Sequence, residues 1–195
     1  MKCANCKQQP KNRCDKDGYD CTGGTQDLSA YKVNINKPCH EISANLQAEF
    51  GNKLTRLEEL IKFAISLQYK KLGLAFCVGM SEEAGVLSDM LENAGFKVDS
   101  ACCKICGLDK KDYGVPYAKA DKNFEAICNP VGQAIALNKG KTELNVAMGL
   151  CVGHDILFQK YSEAPVTTFV TKDRVLAHNP LGVVYSSYYR KKFGL

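Results

Sequence analysis

Apolar and polar positions follow two rhythms along most of this chain, and one stretch follows neither. Leu57, Leu60, Ile61, Ala64 and Ile65 recur at three- and four-residue spacing, which predicts an amphipathic helix. Thr55 followed by Glu58 forms a capping box for its start, and Glu59 adds a carboxylate to the positive first turn. Residues 72–78 are a short apolar run and predict a buried strand. Ser81 is the expected cap of the next helix. Glu82 and Glu83 fall in its first turn, and Leu87, Met90 and Leu91 on its inner face. Residues 96–103 predict a second strand, followed by a polar loop from 104 to about 122. Asn129 and Pro130 suit the N-cap and first position of a helix ending near residue 140. Residues 144–150 predict a third strand, 154–161 a short helix, 166–170 a fourth strand and 174–177 a fifth. Asn179-Pro180 reads as a further helix start. Strands alternating with helices over residues 53–195 predict an α/β domain: a three-layer, mostly parallel, Rossmann-like sheet.

Residues 1–24 have no such rhythm. Between Cys3, Cys6, Cys14 and Cys21 lie mostly Lys, Asp, Asn and Gly, with only Ala4 and Tyr19 to pack. A segment of this kind buries too little apolar surface to fold alone. Four thiolates around one ion would supply the missing free energy, so Cys3, Cys6, Cys14 and Cys21 are expected to form a metal knuckle, with zinc the default ion. Residues 25–52 are expected to be a connector, and the Cys39-His40 pair within it to be incidental.

Composition sharpens this reading at one point. The chain has 195 residues, 45% of them hydrophobic and 24% charged, ordinary for a globular protein. A formal net charge of +5 is a mild basic excess and does not define a nucleic-acid binder. There are 11 Cys, an odd number that excludes complete internal pairing. The start of the sequence lacks the apolar core of a signal peptide, and no run of about 18 apolar residues occurs. The expected location is therefore cytoplasmic, where clustered thiols act as metal or redox ligands.

The remaining Cys fall at predicted strand ends. Cys77 closes the first strand. Cys102 and Cys103 close the second, with Cys106 three residues beyond. Cys128 precedes the Asn129-Pro130 helix start, and Cys151 closes the third strand. In a parallel sheet these positions share one rim, where ligands of open α/β sheets collect. Cys77, Cys103, Cys106, Cys128 and Cys151 are therefore candidate ligands of a second metal or cluster site, with Cys102 and His154 as further candidates. Helix N-termini following Cys77, Cys128 and Cys151 favour thiolate. Cys103-x-x-Cys106 also has redox spacing, but a loop rather than a helix follows it, which favours metal ligation. His178 reads as a satisfied loop histidine, and Thr171-Lys172-Asp173-Arg174 as a solvated turn. Gly140-Lys141-Thr142 imitates the end of a phosphate loop, but Ile135 stands where that motif needs Gly, and a strand follows instead of preceding it.

The chain resembles a family of uncharacterised, predicted metal-binding proteins of unknown function, found mostly in anaerobic bacteria and archaea. The resemblance spans nearly the whole chain. It rests on the N-terminal Cys set, Thr55-Arg56-Leu57-Glu58-Glu59, Ala75-Phe76-Cys77-Val78-Gly79-Met80 and Cys128-Asn129-Pro130. It rests further on Gly149-Leu150-Cys151-Val152-Gly153-His154-Asp155, on Lys172-Asp173-Arg174 and on His178-Asn179-Pro180. It implies metal binding and no particular reaction.

The leading expectation is a metal-binding protein with zinc or an iron–sulfur cluster, structural at the N-terminus and redox- or sulfur-related at the rim. The excess of Cys over His favours iron–sulfur at the rim. A small anionic or thiol ligand is the expected partner, and no membrane. One alternative is a thiol-nucleophile enzyme using Cys151 or Cys77, with His154 as base. The other is a nucleic-acid-binding adaptor using Lys2, Lys7, Lys11, Arg13 and Lys16. Asp15, Asp17 and Asp20 in the same segment count against it.

Overall fold

The structure is a computed structural model that describes residues 2–33 and 35–195. Met1 and Asn34, which fall in the expected knuckle and connector, lie outside the described residues. The chain divides into two compact units, Met1–Ala44 and Asn45–Leu195.

The first unit holds two single-turn 3-10 helices, Cys3–Asn5 and Ser29–Lys32, and the short helix α1 (Arg13–Lys16). Helix α2 (Asn36–Phe50) starts within it, so the stretch expected to be a connector carries a helix of 15 residues. Its apolar side chains are too few to announce it by periodicity, and Leu46 is its one buried residue. No described residue from 2 to 44 is buried.

The second unit is built on a sheet. Its strands are β1 (Lys71–Phe76), β2 (Lys97–Cys102), β3 (Leu144–Leu150) and β4 (Val166–Thr171), in the order β2-β1-β3-β4. Every pairing is parallel. Helices α3 (Arg56–Ser66) and α4 (Ser81–Asn93) cover one face. Leu60, Ala64, Leu87 and Leu91 pack there on Leu72, Leu74, Val146 and Met148. Helices α5 (Pro130–Lys139) and α6 (Val152–Tyr161) are joined to the other face through Ala134, Leu137 and Phe158 against Ala75, Ala101 and Ala147. The small alanines let this second helix layer approach closely, while the opposite face is filled by larger aliphatic side chains. The expected three-layer α/β architecture is therefore present, and the sheet is parallel throughout.

Local signals act as the sequence predicts at two helix starts. Thr55 Oγ1 accepts from the Glu58 N–H, and the Glu58 carboxylate takes the Thr55 N–H in return, a closed capping box. Asn129 Oδ1 accepts the Gly132 N–H ahead of Pro130. Two expectations fail. Ser81 is the first residue of α4, not its cap, because a 3-10 turn, Val78–Met80, intervenes. Residues 174–177 are not a fifth strand. Asp173 Oδ1 takes the Val175 and Leu176 N–H groups, and Ala177 and His178 have φ of 47° and 62°, which no strand accommodates. The final helices are α7 (Leu181–Tyr185) and α8 (Ser187–Lys192).

Central packing rests on a buried polar residue. Asn145 in β3 is fully buried; its Oδ1 accepts from Thr142 Oγ1 at 2.7 Å and its Nδ2 donates to Ser162 Oγ at 2.7 Å. Gly73 in β1 pairs with it and leaves the space its side chain fills. Gly73→Ala drives a methyl into the Asn145 amide. The expected loss is about 1–3 kcal/mol, as for other overpacked core sites. Urea unfolding measures it, and a midpoint equal to wild type would contradict this packing.

Candidate functional site

The parallel pairing sets the site. Four strands run in one direction, so the residues after each carboxyl end share a rim. These are Cys77 after β1, Cys103 after β2, Cys151 after β3 and Lys172 after β4. Backbone bonds hold the loops together there. The Cys77 N–H donates to Met148 O, the Cys103 N–H to Phe76 O at 2.8 Å, and the Asn129 N–H to Cys103 O at 2.8 Å. The last bond brings the lead-in of α5, and with it Cys128, onto the end of β2. Cys128 Sγ lies 3.9 Å from Cys103 Sγ.

A bulge aims the third strand's cysteine. Register slips between Met148 and Leu150, where Gly149 takes φ +67°. Any side chain at 149 would meet the Met80 sulfur. Irregularities of this kind re-aim the residues that follow. Here the residue is Cys151, the N-cap of α6, whose Sγ accepts from Arg174 Nη2 at 3.0 Å. Beneath the rim, Gln133 Nε2 donates to Ala101 O at 2.6 Å and Phe76 O at 3.2 Å, ending both strands. Its Oε1 is buried with no partner among the described residues.

Electrostatics divide the thiols. Cys103 is only 2% exposed; burial, with the neighbouring Cys128 and Cys77 sulfurs, pushes its thiol up to about 12 although the Val78 N–H opposes this. Burial also raises Cys77, but the Gly79 N–H, the Lys172 ammonium and the Cys103 thiol outweigh it and hold Cys77 below the ordinary thiol value. Arg174 is held further into its charged form by Cys151 first, which it contacts, and then at longer range by Cys77 and Cys128. Burial, then Lys104 and Arg174, hold His154 below the ordinary histidine value.

The structure thus brings together Cys77, Cys103 and Cys128, and ties Cys151 to them through Arg174. It does not bring in Cys106, which is exposed with φ +70°. Cys102 receives the Lys104 N–H at 3.5 Å. His178 accepts the Asp173 N–H, a loop histidine as expected. Lys172 and Arg174, expected in a solvated turn, instead meet the thiols. The signal that could have found them is the same strand-end rule that found Cys77. Gln133 carried no signal of its own.

In the first unit, Cys3, Cys6, Cys14 and Cys21 line one hollow of about 50 Å³, with Arg13 and Tyr19 at its wall. Backbone N–H groups of Asn12 and Gln8 reach the Cys6 sulfur and lower its pKa. Arg13, a candidate nucleic-acid contact, is occupied by Asp17 at 2.8 Å and by the Tyr19 ring. Among the described residues no three His, Cys, Asp or Glu side chains close into a ready metal cage. No helix among them is long and apolar enough to cross a membrane.

Fold and rim define a cysteine-rich, parallel α/β protein. The chain belongs to the family described as "Protein of unknown function (DUF1847)", whose pattern matches residues 21–169 and so includes all four rim cysteines. An uncharacterized protein of Methanocaldococcus jannaschii, MJ0455, is 48% identical over 195 residues, covering 98% of this chain and 97% of that one. No solved structure matches the chain.

The charge pattern predicts site-selective chemistry in the metal-free chain. Iodoacetamide labels Cys77 at lower pH than an ordinary thiol, while folded Cys103 stays unlabelled near pH 8. Lys172→Met removes a favourable charge from the Cys77 thiolate, so its labelling midpoint moves up in pH. Peptide mass mapping across a pH series reads both; an unchanged midpoint would refute the Lys172 assignment.

Proposed function

We propose that this chain is a thiolate metal-binding protein with two sites. The observation that carries this reading is the shared hollow of Cys3, Cys6, Cys14 and Cys21 in a unit where no described residue is buried. The donor set fits. Four thiolates suit zinc or iron in tetrahedral ligation. N–H groups already bond to Cys6, as a metal-bound thiolate requires. This site is structural: metal supplies the free energy that apolar burial does not.

The second site is the rim. Two sulfurs on one tetrahedral zinc, at about 2.3 Å each, stand about 3.8 Å apart. Cys103 and Cys128 are separated by 3.9 Å. Cys77 and Cys151 complete the set, and Lys172 and Arg174 would offset the negative charge of four thiolates. The bound group there is a zinc ion or an iron–sulfur cluster, and Cys106 and Cys102 fall outside the set on present geometry. A small anionic or thiol ligand is the partner this charge balance would admit.

A second reading, a thiol nucleophile at Cys77, draws on the Gly79 N–H and Lys172 beside that sulfur. Metal analysis separates the two.

Anaerobic purification with elemental analysis and a visible spectrum is the test. Expected are two metal-binding equivalents in wild type. Cys14→Ser loses one and exposes residues 2–24 to protease. Cys128→Ser loses the other while the N-terminal equivalent stays. A broad band near 400 nm, roughly, marks iron–sulfur, and a colourless protein marks zinc. Metal-free protein with unchanged digestion would defeat the reading. Loss of function from Cys77 replacement alone, with metal content intact, would favour the nucleophile.

A further inference from the structure

The dithiol that the sequence offers is not the one the fold builds. Cys103-x-x-Cys106 has redox spacing, yet Cys106 is exposed on a left-handed turn. The sulfur next to Cys103 is that of Cys128, 25 positions further along, at 3.9 Å. The turn after β1 meets the same sulfur, since the Val78 N–H donates to Cys103 Sγ at 3.3 Å and so sets Cys77 beside it. Three segments meet in this contact: the turn after β1, the end of β2 and the lead-in to α5. The main chain holds them in register through Cys103 N–H to Phe76 O and Asn129 N–H to Cys103 O, both 2.8 Å. Asn129 Nδ2 adds a bond to Ile105 O at 3.3 Å.

Access differs along the chain of sulfurs. Cys103 is 2% exposed, so a molecule from solvent does not reach it. Cys77 and Cys128 are both partly exposed. A partly exposed thiol beside a buried thiol that touches a third can pass a disulfide along by exchange.

We propose that the metal-free rim performs thiol–disulfide exchange with low-molecular-mass disulfides, with Cys77 as entry thiol, Cys103 as resolving thiol and Cys128 as the partner that completes an internal disulfide. Cys77 loses its proton to solvent and its sulfur attacks one sulfur of the small disulfide. The substrate S–S bond breaks, and the departing sulfur takes up a proton and leaves as a thiol. Cys103 then attacks Cys77 Sγ as its proton passes to the departing sulfur, giving a Cys77–Cys103 bond and releasing the second small thiol. Cys128 attacks Cys103 Sγ, forming Cys103–Cys128 and returning Cys77 as a thiol. One small disulfide is reduced to two thiols, and two cysteines are oxidised. The inference concerns the rim without its metal, and so it stands or falls separately from the metal reading.

The test uses the full chain, its metal content recorded first and the metal then removed by chelation under argon. Glutathione disulfide is added, the reaction is quenched in acid, free thiols are capped with N-ethylmaleimide, and peptides are mapped by mass spectrometry. The expected product is a Cys103–Cys128 link that carries no glutathione at either cysteine. Cys77→Ser slows the link at least tenfold. Cys128→Ser stops at a Cys77–Cys103 link, and this variant keeps the proposal testable should Cys77→Ser fold poorly. A Cys103–Cys106 link, mixed disulfides scattered over the rim, or an unchanged rate in folded Cys77→Ser would each overturn it. The metal content recorded at the outset scores the metal reading independently of the link.

Discussion

β3 is buried along its whole length, all seven residues, between β1 and β4 and between two helix layers. A strand buried on both faces needs helical crossovers that return the chain to the same end of the sheet. Each strand therefore finishes at the same rim, and each crossover must leave from there. Cys77, Cys103, Cys151 and Lys172 meet because they are the first residues after four parallel strands. Their meeting owes nothing to attraction between sulfurs. The hydrophobic core on either side of the sheet holds the rim loops, and the main-chain bonds among Cys77, Cys103 and Asn129 fix them to within hydrogen-bond tolerance. A rim supported in this way can lose or gain a ligand without losing the fold.

The charges at the rim follow from the same topology. Two cations, Lys172 and Arg174, leave the last strand into the space that the cysteines leave from the first three. Lys172 is half-buried and Arg174 exposed, and each meets a sulfur, Lys172 that of Cys77 and Arg174 that of Cys151. The result is uneven. Cys77, beside Lys172 and the Gly79 N–H, is biased toward thiolate, while Cys103, deeper and crowded by sulfur, is biased toward thiol. Burial, Lys104 and Arg174 bias His154 away from its charged form. Neighbouring thiols thus carry opposite biases without a formal catalytic motif in the sequence.

The sheet was legible because burial writes itself into apolar runs: residues 144–150 were read to the residue, and the Thr55 and Asn129 caps followed from local hydrogen-bonding chemistry. The rim was legible only through topology. Once the strands are parallel, strand-end cysteines converge whatever their sequence separation. What local reading could not supply was the choice among neighbours. Adjacent strand residues point to opposite faces, so of Cys102 and Cys103 only one can meet Cys128, and the backbone bond from Asn129 selects Cys103. The positive φ of Cys106 removes it from the cluster, a feature that residue spacing does not encode. Lys172 and Arg174 looked like a solvated turn because a charge run carries no mark of what faces it. Helix α2 escaped notice because its one buried residue, Leu46, leaves no repeating apolar face.

The two cysteine sets stand in opposite relations to folding. In the first unit no described residue is buried, and the four cysteines surround a hollow that nothing apolar fills. A ligand bound there adds its whole binding free energy to the order of that unit, because the unliganded chain has little else to hold it. In the second unit two apolar clusters hold the sheet on either face, so binding at the rim would be linked less to folding and more to the state of the thiols. Structural sites are closed by their protein ligands, whereas working sites keep a position that a substrate can reach. Cys77 and Cys151 are partly exposed around buried Cys103, and a cation already stands beside each of them. On the proposed reading, permanence would therefore belong to the N-terminal set and exchange to the rim.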